Sequence, residues 1–151
     1  MSWTELKDKI YYQDGSFRDV YILATKRSDW EKWVGHINEN YHIEWYNGKT
    51  NRTEGRVGFS VIKEYWDGNS DLCSTAKIFI GNIQLNAHFF TENEIENDID
   101  PREFRSIEDH EKLIKFMADI SNLLGKEVIL TPENEQNTPL IKLCKEKAEY
   151  M

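Results

Sequence analysis

Five carboxylates stand at every second position of one short stretch, Glu92, Glu94, Glu96, Asp98 and Asp100, with no Lys or Arg among them. Side chains alternate across an extended strand, so a strand here lines all five along one face. Such a row offers three chemistries: ligation of a hard cation, an acid and base pair for hydrolysis, or a negative surface for a basic partner. A cation wants several oxygens converging on one point, whereas alternate strand positions lie about 7 Å apart. The EF-hand spacing fails as well, because no glycine follows the third acid and Pro101 comes just downstream. A glycosidase-like pair needs one apolar and one solvated carboxyl across a cleft, and a single exposed row gives all five the same surroundings. Recognition of a basic surface remains, set against a solvated face that only blunts an exposed strand edge.

Other catalytic constellations are missing from the chain. There is no GxSxG elbow and no GxGxxG or GxxxxGK[ST] phosphate loop. Cys73 and Cys144 are far apart and fit no zinc or CxxC pattern, so both are expected to be reduced structural thiols. His36, His42, His88 and His110 show no HExxH or paired ligand spacing. No catalytic residue, metal ligand or cofactor is therefore expected. His88 shares the even-numbered face with Glu92, which places an imidazole beside the acids. Trp45, Tyr46, Tyr65 and Trp66 lie near turn ends, where rings can form a ligand platform or fill the core, and so aromatic a chain favours the core.

The distribution of charge supports a binding role. Residues 92–111 hold nine acids, the five above with Glu103, Glu108, Asp109 and Glu111, against Arg102 and Arg105, and so carry seven of the eight net negative charges. Solvated faces usually mix both signs. The candidate contact residues are Glu92, Glu94, Glu96, Asp98, Asp100 and Glu103, and the partner they suit is a basic protein. A net charge of −8 repels nucleic acid and anionic membranes. Met1 to Ile10 mixes Trp3 and Leu6 with four charged residues, unlike a signal peptide, and no window is apolar enough to span a bilayer, so the cytoplasm is the expected compartment. Nothing in the sequence sets an oligomeric state.

The elements that must position the acids follow from periodicity. With 151 residues, 39% of them hydrophobic and 13% aromatic, residues 1–151 suit one domain with a sizeable core. Phe17 to Thr25 alternates as a half-buried strand. Ser28-Asp29-Trp30-Glu31 reads as a capping box opening a helix whose stripe is Trp30, Trp33, Val34, Ile37 and Tyr41. His42 to Tyr46 is a strand closed by Asn47-Gly48. Val57, Phe59 and Val61 alternate as a further strand before a turn at Asp67-Gly68-Asn69-Ser70, and Ala76, Ile78 and Ile80 form the next. From Ile83 to Ile99 the odd positions Ile83, Leu85, Ala87, Phe89, Ile95 and Ile99 are apolar, which turns the acids away from the core, on one bent strand or two broken near Thr91 to Asn93. Ser106 caps a second helix with Leu113, Phe116, Met117, Ile120, Leu123 and Leu124 inward, stopped by Gly125. Strands follow at Glu127 to Thr131 and, as a last edge strand, Leu140 to Cys144, before a charged tail over 145–151 that frays or adds a helical turn. The expected architecture is α+β: a single antiparallel-rich sheet with two helices on one face, in the order β-α-β, β-meander, β-α-β.

A small acidic α+β chain with no catalytic motif, carrying the stretch Ile83 to Phe104 (IQLNAHFFTENEIENDIDPREF), resembles the immunity proteins that bacteria make against polymorphic or contact-dependent toxins. The resemblance implies a non-enzymatic cytoplasmic inhibitor whose acidic face covers the basic active-site cleft of a toxin, often a nuclease. The alternative expectation is a small enzyme or ligand-binding protein with its cleft beside His88 and the aromatic strand ends.

Overall fold

The computed structural model describes residues 1–69 and 74–151; Ser70 of the expected turn and Cys73 lie outside the described residues. Along the chain come α1 (Trp3–Lys9), β1 (Arg18–Leu23), α2 (Arg27–Asn40), β2 (His42–Asn47), β3 (Arg52–Glu54), α3 (Phe59–Trp66), β4 (Thr75–Ile80), β5 (Ile83–His88), β6 (Glu94–Ile99), a 3-10 turn at Pro101–Glu103, α4 (Ile107–Leu124), β7 (Val128–Pro132), β8 (Ile141–Cys144) and β9 (Lys147–Tyr150). The strands form one antiparallel sheet in the order β3-β2-β4-β5-β6-β1-β7-β8-β9. The fold is thus α+β with a large antiparallel sheet, and it carries four helices among the described residues where two were expected.

Period-two patterning builds the sheet's inner face. Ile83, Leu85 and Ala87 of β5 and Ile95 and Ile99 of β6 are buried, while the even-numbered residues Gln84, Asn86, His88, Glu94, Glu96 and Asp98 are half-buried. Trp30, Trp33 and Ile37 of α2 and Leu113, Phe116, Met117 and Ile120 of α4 join these strand residues in one core, and α2 packs on α4. Phe89 fills the space beside Trp30 and Trp33, with ring centroids 5.3 and 6.4 Å away. Each large apolar side chain withdrawn from water in this way is worth about 1.5–3 kcal/mol. Buried residues of α1 and α3, Leu6 and Ile62, belong to the same core, so all four helices serve the inner face.

Several expectations are corrected. Residues 57–61 are not a strand: Gly58 caps α3, in which Ile62 is buried and Phe59 and Trp66 pack partly against the core. Phe59, Ile62 and Trp66 satisfy helical spacing as well as Val57, Phe59 and Val61 satisfy strand spacing, and β2 is already flanked by β3 and β4, which leaves no vacant sheet edge there. The 145–151 tail is not frayed. Lys145 takes a left-handed φ of 58°, reverses the chain and lets β9 pair on β8, so β8 is not the edge strand. Helix α2 starts at Arg27, and its capping carboxylate is Asp29, which accepts the Lys26 N–H at 3.1 Å, instead of the Ser28 and Glu31 box. Helix α4 does begin after Ser106 and ends at Gly125, whose φ is 65°.

Strand β1 is buried on both faces over Arg18–Ile22, where a half-buried strand was expected, because it sits between β6 and β7 near the middle of the sheet. Its first residue, Arg18, is wholly buried. The guanidinium donates to the carbonyls of Ile10 (2.7 Å), Tyr12 (2.5 Å), Ser16 (3.3 Å) and Phe17 (2.9 Å) and lies 3.9 Å over the Tyr12 ring. One side chain thereby satisfies four of the eight carbonyls between α1 and β1.

The inner face of β6 carries one polar exception. Asn97 is fully buried between Ile95 and Ile99; its amide donates to the Glu96 carbonyl at 2.9 Å, and its Oδ1 has no hydrogen-bond partner among the described residues. An orphaned buried acceptor costs more than the bond its amide makes returns. Asn97→Leu, nearly isosteric, is expected to stabilise the fold by about 1 kcal/mol, read as a higher urea midpoint with an unchanged slope; a lower midpoint would show that the Asn97 amide matters more than its stranded oxygen.

Candidate functional site

The outer face of the sheet carries the acids, and register decides what each one meets. In β6, Glu94 lies opposite Leu23 of β1, Glu96 opposite Tyr21, and Asp98 opposite Asp19. On the other side, Glu96 faces His88 of β5 and Asp98 faces Asn86. Two carboxylates directly across a strand pair repel, so Asp98 against Asp19 demands compensation. Asp19 is 3% exposed, and its Oδ2 accepts the Tyr21 hydroxyl at 3.0 Å and the Asn134 backbone N–H at 2.7 Å. Burial, seconded by the charges of Glu96 and Asp98, holds its carboxyl above the usual range despite those bonds.

The β6 acids themselves are tied to neutral or titratable donors. Glu96 accepts the Tyr21 hydroxyl at 3.1 Å, and Glu94 accepts the Gln136 amide at 2.6 Å from the β7–β8 loop. Asp98 takes Asn86 at 2.7 Å and His88 Nε2 at 2.5 Å. The Tyr21 hydroxyl, buried and bracketed by Asp19 and Glu96, is pushed well above the ordinary tyrosine range and remains a donor. The His88 ring stacks on Phe90, with centroids 5.2 Å apart and planes at 10°.

These contacts separate the six candidate residues. Glu94, Glu96 and Asp98 share the outer face of β6 as expected, but they are half-buried, not freely exposed. The other three are taken up elsewhere. The strand breaks between His88 and Glu94, so Glu92 leaves the row and pairs with Arg27 Nε; its expected neighbour His88 turns to Asp98 instead. Asp100 caps the 3-10 turn and pairs with Arg102 at 2.8 Å. Glu103 accepts the Gln84 backbone N–H at 3.0 Å. Asp19 and Tyr21 are the members that local sequence reasoning left out; their odd-numbered parity in β1 was the available signal, but only the long-range register puts them beside Asp98 and Glu96.

Beside the row, at its Glu92 end, lies a groove of about 420 Å³ lined by Arg27, Tyr65, Trp66, Phe90, Thr91, Glu92 and Asn93. Arg27 is held there between Glu92 and Asp67, the latter at 2.5 Å, so it offers no uncommitted charge to an anion. Of the other aromatic strand-end residues, Trp45 is core and donates its indole N–H to Ser74 at 3.1 Å, while Tyr46 is exposed and bonds Asn51 at 2.6 Å. Among the described residues no group of three or more His, Cys, Asp or Glu is placed to hold a metal ion, and no helix is long and apolar enough to cross a membrane.

A second histidine is set against the first. His110 is buried, with Nδ1 2.6 Å from the Tyr11 hydroxyl and Nε2 2.7 Å from the Tyr150 hydroxyl. Burial, helped by the positive chain terminus, lowers its pKa to about 4, whereas the Asp98 hydrogen bond raises that of His88. The two therefore act on stability in opposite senses. His88 adds stability that is fully present below about pH 6.5 and is lost as pH rises through its folded pKa; His110 adds stability present above about pH 6.5 that is lost as pH falls towards 4. A proton NMR titration is expected to show His88 protonating above 6.5 and His110 silent down to about pH 5; a His110 resonance moving near 6.5 would contradict the buried tyrosine clamp.

No family model, no curated protein and no solved structure matches this chain.

Proposed function

We propose that the chain is a non-enzymatic binding protein, an immunity protein acting in the cytoplasm, that neutralises a basic toxin surface through the outer face of β6. The observation that carries this reading is the row Glu94, Glu96 and Asp98: three carboxylates in successive same-face positions, bonded to Gln136, Tyr21, Asn86 and His88 and, among the described residues, to no Lys or Arg. Hydrogen bonds from the neutral donors Gln136, Tyr21 and Asn86 fix the carboxylates without cancelling their charge, and only Asp98 shares its charge with a protonatable partner, His88. A fixed negative strip steers a basic partner and discriminates against wrong ones. It suits the lysines and arginines with which a nuclease holds phosphates.

The test uses the protein encoded immediately upstream, where a cognate toxin is expected. Co-expression should relieve its toxicity, and the purified pair should form a complex whose affinity falls steeply with salt. Unrelieved toxicity together with no salt-sensitive complex overturns the proposal. The aromatic groove supports a second reading, a small-ligand protein with its site between Trp66 and Phe90. A thermal-shift screen of metabolites separates the two, because a ligand at a hundred times its dissociation constant stabilises by about 2.7 kcal/mol.

A further inference from the structure

At the Glu94 end the acidic row runs into an apolar hollow. Tyr21, Leu23, Lys126, Glu127 and Ile129 line a groove of about 190 Å³ on the outer face. Leu23 is 42% exposed and sits directly opposite Glu94; Tyr21 lies opposite both Glu96 and Ile129. Lys126 does not cap the acids, since its ammonium donates to the Ala24 carbonyl at 3.1 Å. Leu23, at the end of β1 and opposite Glu94, is thus left facing solvent beside the acidic strip. Interfaces gain most of their affinity where an apolar side chain fills a hollow rimmed by charge.

We propose that the partner presents a protein segment in which basic side chains over Glu94, Glu96 and Asp98 flank one apolar side chain that seats against Leu23 and Ile129. This rests on the acidic-face reading and narrows it. A pure phosphate mimic would need only charge, whereas this surface asks for an anchor next to the charge. Charge complementarity chooses the occupant, because an apolar segment without cations would leave three carboxylates desolvated and unpaired.

The probes are two short extended peptides with lysine at alternate positions, one ending in leucine and the other in serine, titrated into the labelled protein by NMR. The leucine peptide should bind about tenfold more tightly, as burial of one aliphatic side chain allows, and shift the Leu23 and Ile129 methyl signals. Leu23→Ser should abolish that advantage while leaving the serine peptide unaffected; Glu94→Gln with Glu96→Gln should weaken both peptides. Equal affinities for wild type, or an advantage that survives Leu23→Ser, overturns the anchor. If the charge variant still weakens both peptides in that case, the acidic-face reading stands alone; if it weakens neither, or no peptide binds at millimolar concentration, both readings fall.

Discussion

Neutralising the β6 row as Glu94→Gln, Glu96→Gln and Asp98→Asn should weaken binding of the basic partner on the order of 100-fold, with most of the salt dependence lost. The fold should survive, because each replacement keeps the shape that Gln136, Tyr21 and Asn86 already contact. Lysine at the same positions would be a poorer test. The Asp98 side chain is 15% exposed and pinned between Asn86 and His88, so an ammonium there would be buried beside an imidazole and the loss of binding would mix with loss of structure. Calorimetric titration at low and high salt measures the effect, and a melting temperature lowered by less than about 5 °C certifies the fold. A variant that is folded and still binds or protects like wild type would make the row a device for solubility alone.

Arg18→Leu should destabilise the protein by about 3–5 kcal/mol, the summed loss of several hydrogen bonds worth about 1 kcal/mol each. Leucine fills part of the volume but leaves the carbonyls of Ile10, Tyr12, Ser16 and Phe17 without the donor that now satisfies them. Against a total stability of about 5–15 kcal/mol for a domain, this is a large fraction. Asp14 is the wrong residue to blame. Its side chain is 51% exposed and 3.7 Å from the guanidinium, so Asp14→Ala should leave the midpoint close to that of wild type. Urea unfolding of both variants checks the contrast; similar midpoints would mean that Arg18 matters as a charge and not as a donor.

How far the fold was legible depends on whether one period competes with another. Over Ile83 to Phe89, and again at Ile95 and Ile99, the core-facing apolar residues are odd-numbered, so the inner and outer faces of β5 and β6 follow directly, including the orientation of Glu94, Glu96 and Asp98. The same parity leaves open whether the strand bends or breaks near Thr91 to Asn93, and so does not show the departure of Glu92 to Arg27. Asn97 breaks the pattern silently, since a polar residue in an apolar position gives no local hint of burial. Residues 57–66 satisfy both periods, and only the occupied edges of β2 decide for helix. The 145–151 segment is charged and carries no turn signal beyond Lys145 and Glu146, yet Tyr150 docks on His110 and secures β9. Asp19 was readable as a strand residue but not as a neighbour of Asp98, because cross-strand register over some eighty positions is a tertiary fact.

The place of β1 between β6 and β7 also sets the order in which a ribosome can deliver this sheet. Residues 18–23 leave the exit tunnel early, but one neighbour, 94–99, arrives some seventy residues later and the other, 128–132, more than a hundred later. The hairpins β2–β3 and β4–β5–β6 link segments close in sequence and can assemble as they emerge, whereas closing the middle of the sheet carries the entropy of two long loops. A nascent chain stalled before Val128 therefore holds a strand with one open edge, the kind of edge that pairs with strangers. Residues 128–132 close the second side of β1, and residues 141–150 then carry the sheet out to its β9 edge.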